Sequence, residues 1–240
     1  MFDLGQPNKI FLPLVLLLGM MLVPVKAESV TLQVGLIQDG RPPYFWAPTE
    51  SSPPKGIYID ILDAIARRTE LSFNYRFLPQ ARIRLYMVKG LLDIEPGIDP
   101  SWRSKISEVN TSVYSDPFMS SSERMVTSKH YSNADNMQRS CVMLGFNSEI
   151  ENSQTMTTLD EQQLLEMMDK NRCDFAVMPS LVIHYYLAQK KYNVNISAEN
   201  NHFELTLRLF HQQQALLPVI NQALAELRQS GELAEILSRY

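Results

Sequence analysis

The sequence predicts a two-lobed α/β protein in which each lobe is a mixed, mostly parallel sheet flanked by helices and two hinge crossovers join the lobes. Three observations predict it. Strand-type and helix-type periodicity alternate in two successive blocks of the chain. A polar stretch from Ser120 to Gln138 separates the blocks, and a second, Tyr192 to Asn201, precedes the last strand. Helices left over at the C-terminus then follow that strand, as in a chain that leaves one lobe, builds another and returns. On this reading residues 28–119 and 203–240 form lobe 1, and residues 120–202 form lobe 2 with the hinge segments.

The elements follow in order. Val30 to Ile37 sets Val30, Leu32, Val34 and Leu36 against Thr31, Gln33 and Gly35, a period of two that predicts a strand. The Pro-rich segment from Arg41 to Lys55 suits neither a helix nor a central strand. Ile57, Ile61, Leu62, Ile65 and Ala66 share one helical face of Ile57–Arg68. Leu71 to Leu78 alternates again. Pro79 to Lys89 predicts a short helix closed by Gly90, and Leu92 to Ile94 starts a third strand. The second block supplies a strand at Cys141–Leu144 and a helix at Thr158–Met168, with Thr158 and Glu161 as its capping box. A strand at Cys173–Met178 and a helix at Leu181–Lys190 complete it. The chain ends with a strand, Phe203–Phe210, and helices Leu217–Gln229 and Leu233–Tyr240 split by Gly231.

The first 27 residues set the compartment. Lys9 precedes an apolar run from Ile10 to Val25, and Val25-Lys26-Ala27 approximates a small-x-small cleavage site, the layout of a secretory signal peptide cut near Ala27. Pro13, Gly19 and Pro24 interrupt the run and disfavour a membrane anchor. Cleavage removes Lys9, Lys26 and Asp3 and takes the net charge from −4 to about −5. A mildly acidic chain without clustered Lys and Arg is a poor nucleic-acid binder. His130, His184, His202 and His211 show no metal-ligand spacing, and no catalytic or phosphate-loop motif occurs, so neither a metal nor another cofactor is expected. Two cysteines, Cys141 and Cys173, stand at strands expected to be parallel neighbours about 4.8 Å apart, within reach of a disulfide in an oxidising compartment.

From Pro42-Pro43-Tyr44 onward the chain resembles a known family. Gly56-Ile57-Tyr58-Ile59-Asp60-Ile61, Gly90-Leu91-Leu92-Asp93, Tyr114-Ser115-Asp116-Pro117-Phe118, Gly145-Phe146-Asn147-Ser148 and Cys173-Asp174-Phe175-Ala176 follow in the family's order. The resemblance is to periplasmic solute-binding proteins of the amino-acid ABC-transporter type, the bacterial extracellular solute-binding protein family 3. It implies a type II periplasmic binding protein-like fold. It also implies capture of a small polar solute, an amino acid or a related carboxylate or cationic metabolite, in the periplasm. Its partners would be that solute and a membrane ABC permease, the protein would be a monomer, and no chemistry would be performed. Two alternatives stay open: a periplasmic enzyme on the same fold, dehydratase-like, with Glu95 or Asp99 as general acid, and a solute-sensing partner of a membrane receptor. The family's ligand-carboxylate arginine is matched best by Arg103. Its second-lobe aspartate, which holds the ligand ammonium, falls at Pro179, a departure that puts the standard amino-acid clamp in doubt.

In open α/β sheets ligands sit beyond the carboxyl ends of the strands. That rule selects Gln38, Asp39 and the run Tyr44-Phe45-Trp46 after the first strand, and Glu95 to Arg103 after the third, with Gln38, Tyr44, Trp46, Glu95, Gly97 and Arg103 as the expected contacts. In the second lobe it selects Gly145 to Ser148 and Met178 to Ser180, with Asn147, Ser148 and Met178 as the expected contacts. Tyr44 and Trp46 offer faces for stacking or pack under the Pro-rich loop. Arg103 suits a two-bond grip on a carboxylate and, in an open cleft, is expected to support no core. Glu95 either binds a ligand cation or pairs with Arg103. Asn147 and Ser148 either cradle a ligand or cap a helix.

Overall fold

A computed structural model describes residues 1–2, 29–130, 138–146 and 153–240. The expected signal peptide and cleavage point, and the expected ligand contacts Asn147 and Ser148, lie outside the described residues.

The first elements form where apolar periodicity is strongest. β1 (Val30–Ile37) buries Leu32, Val34 and Leu36 and pairs in parallel with β2 (Leu71–Leu78) along all eight residues. Between them α1 (Ile57–Ala66) buries Ile57, Ile61, Leu62 and Ile65. Each such side chain contributes about 1.5–3 kcal/mol by leaving water. α2 (Gln80–Val88) follows Pro79, and β3 (Ile94–Ile98) lies parallel to β1. A single 3-10 turn, Pro100–Trp102, is capped by Asp99, whose carboxylate accepts the Ser101 amide at 2.9 Å. α3 (Ile106–Val109) and β4 (Ser112–Tyr114) complete this half.

The second half begins with β5 (Met119–Ser128), then β6 (Arg139–Met143) and β7 (Gln154–Thr158). α4 (Glu161–Asp169), β8 (Phe175–Pro179) and α5 (Ser180–Gln189) follow. The long β9 (Val194–Phe210) returns, and after a 3-10 stretch at His211–Leu216 the chain ends in α6 (Leu217–Gln229) and α7 (Glu232–Ser238). Among the described residues the strands join in the order β2-β1-β3-β9-β5-β8-β6-β7, with β4 also on β9. The parallel pairs are β1–β2, β1–β3, β6–β7 and β6–β8; both β5 and β9 pair antiparallel to their neighbours. β9 pairs with β5 through residues 194–205 and with β3 and β4 through residues 206–210. The sheet is therefore mixed, with the two antiparallel strands β5 and β9 at its middle. One continuous apolar core reaches from α1 to α4 and α5.

Several expectations need correction. The polar stretches Ser120–Gln138 and Tyr192–Asn201 were expected as connections, yet residues 120–128 belong to β5 and residues 194–201 to β9. These strands are made by pairing with each other rather than by an apolar face, so most of their side chains remain wet and no alternation marks them. Thr158 ends β7 instead of starting a helix. The helix cap is Asp160, whose carboxylate accepts the Gln163 amide at 2.7 Å. β6 starts at Arg139, so Cys141 lies inside that strand rather than at its first position. Cys141 and Cys173 are joined by a disulfide with a Cα–Cα distance of 6.0 Å.

The residues that carry the family resemblance are mostly scaffold. Asp93 accepts the Gln33 amide at 2.8 Å and the Gln213 side chain at 2.7 Å. Asp174 plays the same part in the other half, accepting the amides of Gln138 and Arg139 at 3.0 and 2.8 Å. Ser115 accepts the Leu207 amide, and Phe118 sets its ring edge-on to Tyr58. Asp93, Asp174 and Ser115 each tie one strand end to its neighbour, and Phe118 ties the start of β5 to α1.

Candidate functional site

A cavity of about 310 Å³ opens between the two halves of the sheet. Its first wall comes from the ends of β1 and β3, from α2 and from the turn after β3: Gly35–Ile37, Gln80, Arg84, Glu95–Ile98 and Arg103. Arg41, Phe45 and Tyr58 close one side, and Glu123, Gly145, Phe146 and Pro179 form the facing wall. Beside Glu123 a recess of about 10 Å³ runs on between Tyr44, Tyr58, Ser121 and Phe203.

The first wall is built on buried ions. Glu95 on β3 faces Arg208 in the antiparallel register with β9. One Glu95 oxygen takes Arg208 at 2.7 Å, and the other takes Arg103 at 2.6 Å and Gln80 at 3.1 Å. Glu108 lies behind, held by both ends of the Arg84 fork at 2.8 and 2.7 Å, with Arg103 Nε 3.9 Å away. Burial alone raises the Glu95 pKa, but Arg103 and Arg208 outweigh it and hold the carboxyl below its ordinary range. Three guanidinium groups face two carboxylates here, an excess of one positive charge. Among the described residues Arg103 Nε and one terminal nitrogen of Arg208 are buried without a hydrogen-bond acceptor.

The opposite side carries the reverse excess. Arg41 bridges to Glu161 at 2.5 Å and lies over the Phe146 ring, 4.8 Å from its centre. Glu123 is close enough to feel the Arg41 charge, so two carboxylates share one guanidinium. The cavity is bipolar, with aromatic faces between the poles.

Gly97 allows the wall to close. Its φ is +75°, and a Cβ there would stand 2.0 Å from the Tyr58 hydroxyl oxygen. Gly56 does the same at the head of α1, where a Cβ would meet the Phe45 backbone at 2.5 Å.

Of the residues expected from sequence, Glu95, Gly97 and Arg103 line the cavity. Glu95 takes the pairing alternative, as the partner of Arg103. Arg103 is only 7% exposed and braces a buried ion network, against the expectation that it supports no core. Tyr44 is buried behind the wall, stacked on Tyr58 at 5.2 Å with its hydroxyl 3.0 Å from Ser121, and meets only the recess. Trp46 lies outside the cavity lining, packed against Tyr185 and Tyr240, because the loop doubles back through a Trp46–Lys55 bridge. Gln38 is exposed and outside the lining, its amide spent on Leu78. Met178 is buried in the core, since side chains alternate along β8 and its neighbour Pro179 takes the cavity face.

Sequence reasoning missed Glu123, Gln80, Tyr58 and Arg41, while Phe146 and Pro179 fall within the segments that the strand-end rule selects. Gln80 was within reach, since it follows the carboxyl end of β2. Glu123 was not, for it sits in a segment without strand periodicity.

Residues 32–240 match the model of the bacterial extracellular solute-binding proteins, family 3, and the chain belongs to that family. Its fold is shared with solved structures of low identity. The substrate-binding protein of an amino acid ABC transporter matches with a TM-score of 0.74 at 21% identity, covering 88% of this chain and 98% of that one. A mutant of ArgBP from T. maritima matches at 0.73 and 18%, covering 88% and 94%. A histidine kinase sensor domain similar to periplasmic binding proteins matches at 0.72 and 15%, covering 89% and 96%. No curated protein matches the chain in sequence.

Proposed function

We propose that this protein captures a small polar solute between the two halves of its sheet, outside the cytoplasmic membrane, and delivers it to an ABC-type permease as a monomer. The observation that carries this reading is the bipolar cavity at the carboxyl ends of β1 and β3, with charged and aromatic side chains from both halves. Its size suits a molecule such as an amino acid. The anionic end of the solute lies against Arg103, whose terminal nitrogens are positioned by Glu95 and the Trp102 carbonyl, and the two halves close as lobes on β5 and β9.

The same electrostatics argue against Glu95 or Asp99 as the general acid of the enzyme alternative. A general acid must hold a proton near neutral pH. Glu95 is kept ionised by Arg103 and Arg208. Asp99 is raised by burial but lowered further by the Ser101 hydroxyl and the Ser101 and Glu204 amides.

Mass spectrometry of small molecules released from gently purified protein tests the proposal. One intact metabolite, present near one per chain and rebinding on titration, is the expected result. Its conversion on incubation with the protein would reject the binding-only reading.

A further inference from the structure

The end of the second half that points away from the cavity is basic, although the chain as a whole is acidic, with a net charge of −4. β5 finishes there, β6, β8 and β9 begin there, and α4 and α5 end there. Short contacts gather these ends. The Lys129 amide donates to the Asn193 carbonyl at 2.9 Å, His130 Nε2 lies 3.4 Å from the Asp169 carbonyl, and Arg139 reaches the Asn171 side chain at 3.4 Å. Lys129, Arg139, Lys170, Arg172, Lys190 and Lys191 are thereby brought to one surface, and all but Arg139 are exposed.

The acids at this end are already engaged. Asp174 is buried under Arg139 at 2.5 Å, Glu166 faces Lys190 at 3.8 Å, and Asp169 accepts the Asn193 amide at 2.8 Å. The sequence between His130 and Gln138 adds one acid, Asp135, and no base, so the balance stays positive. Lys170 and Lys190 suit the C-terminal ends of α4 and α5, where a helix dipole favours cations. That local reason does not extend to Lys129, Arg172 and Lys191, which form no ion pair among the described residues.

The surroundings decide what kind of anion this surface takes. The cavity and its recess lie at the other end of the same strands, and neither is lined by any of the six bases. A small anion finds no cradle here. No large apolar side chain is exposed among residues 128–130, 138–139, 169–175 and 189–194, so the anchors of a protein interface are missing too. Long Lys and Arg side chains without an apolar anchor match a plane of phosphodiester charges, which they meet without inserting.

We propose that this basic end is a peripheral docking surface for an anionic phospholipid membrane. Contact there leaves the cavity, at the opposite end of β6 and β8, open to solute while the protein rests on the membrane. The inference does not depend on which solute the cavity holds.

Cosedimentation of the mature chain with lipid vesicles tests the inference. One set is pure phosphatidylcholine, and the other contains an equal share of phosphatidylglycerol. The expected result is binding to the phosphatidylglycerol vesicles alone, weakened at least about tenfold when sodium chloride rises from about 0.02 M to about 0.2 M. A Lys129→Gln, Arg172→Gln, Lys191→Gln triple variant is expected to bind at least about tenfold more weakly, with a melting temperature near wild type. An Arg82→Gln, Lys89→Gln, Lys105→Gln variant removes the same charge from exposed positions of the first half, and is expected to stay within about threefold of wild type. Equal loss in the two triple variants overturns the proposal, because net charge alone would then decide binding. Equal binding to both vesicle types, or none to either, overturns it as well. Protein that ignores both vesicle types but is retained by dextran sulfate has a site for a soluble polyanion, which rejects the lipid assignment.

Discussion

At the scale of single residues, Arg103 and Glu95 hold two roles that pull against each other. Removing one partner of a buried ion pair costs about 3–5 kcal/mol when the other charge is stranded, but Glu95 keeps Arg208 and Gln80 and Glu108 keeps Arg84. Arg103→Ala is therefore expected to lose binding and to melt lower by less than roughly 12 °C. Arg103→Lys keeps a charge for Glu95 but loses the planar fork. Its melting temperature should stay within a few degrees of wild type while affinity for the released solute falls at least tenfold. Titration and thermal melts of both variants check this, and a Lys variant binding like wild type would place the anionic grip elsewhere. Glu95 adds a pH signature. Its folded pKa is depressed, so its contribution to stability is complete above the ordinary glutamate value of about 4.3. That contribution is lost as pH falls through the lower folded value. Urea unfolding at pH 7, 5, 4 and 3 should show the advantage of wild type over Glu95→Gln shrinking across the acid end. A gap that stays constant to pH 3 would mean that the carboxylate charge contributes nothing.

At the scale of elements, two local devices hold the walls in place. Gly97 lets β3 pass close to Tyr58 of α1 with φ of +75°. Gly97→Ala meets both backbone strain of about 1–2 kcal/mol and the clash with the Tyr58 ring. Urea unfolding is expected to show a loss of at least about 2 kcal/mol, and unchanged stability would mean that the wall yields freely. In the other half the disulfide ties β6 to the start of β8, closing a loop with a sequence separation of 32. The chain-entropy account assigns such a loop about 3–4 kcal/mol. A Cys141→Ser, Cys173→Ser double variant should unfold at correspondingly lower urea, with strands β6 to β8 losing most amide protection in hydrogen exchange.

At the scale of the whole molecule, the contacts that span the cleft form a rim. Arg41 of the loop after β1 reaches Glu161 of α4, Tyr44 meets Ser121, and Trp46 stands edge-on to Tyr185 of α5 at 5.6 Å. On the reading of the halves as lobes closing on β5 and β9, these contacts favour the closed form before the solute arrives. Glu161→Gln combined with Trp46→Ala is expected to increase the radius of gyration of the solute-free protein in small-angle scattering. Saturating solute should return it to the wild-type value. Identical curves for both proteins, with and without solute, would remove the closing motion.

How much of this was legible in the sequence depends on how local its cause is. The paired strands β1 and β2 and the face of α1 were readable with nearly their observed bounds, because alternation and helical spacing are properties of neighbouring residues. The order of motifs, Glu95, Gly97 and Arg103 at the third strand, and the pairing of the two cysteines were readable too. The rest needed the third dimension. Arg208 reaches Glu95 across 113 residues, through a strand register that no local pattern encodes. Trp46 and Met178 left the expected site because a loop bridge and strand alternation turn them elsewhere. Glu123 lines the cavity from a polar strand that no apolar alternation marks. The sequence by itself determined the class of fold and the end of the sheet where a ligand would sit, since burial periodicity is written residue by residue. Only the tertiary structure decided which charges meet there, because pairing between strands distant in the chain sets that balance.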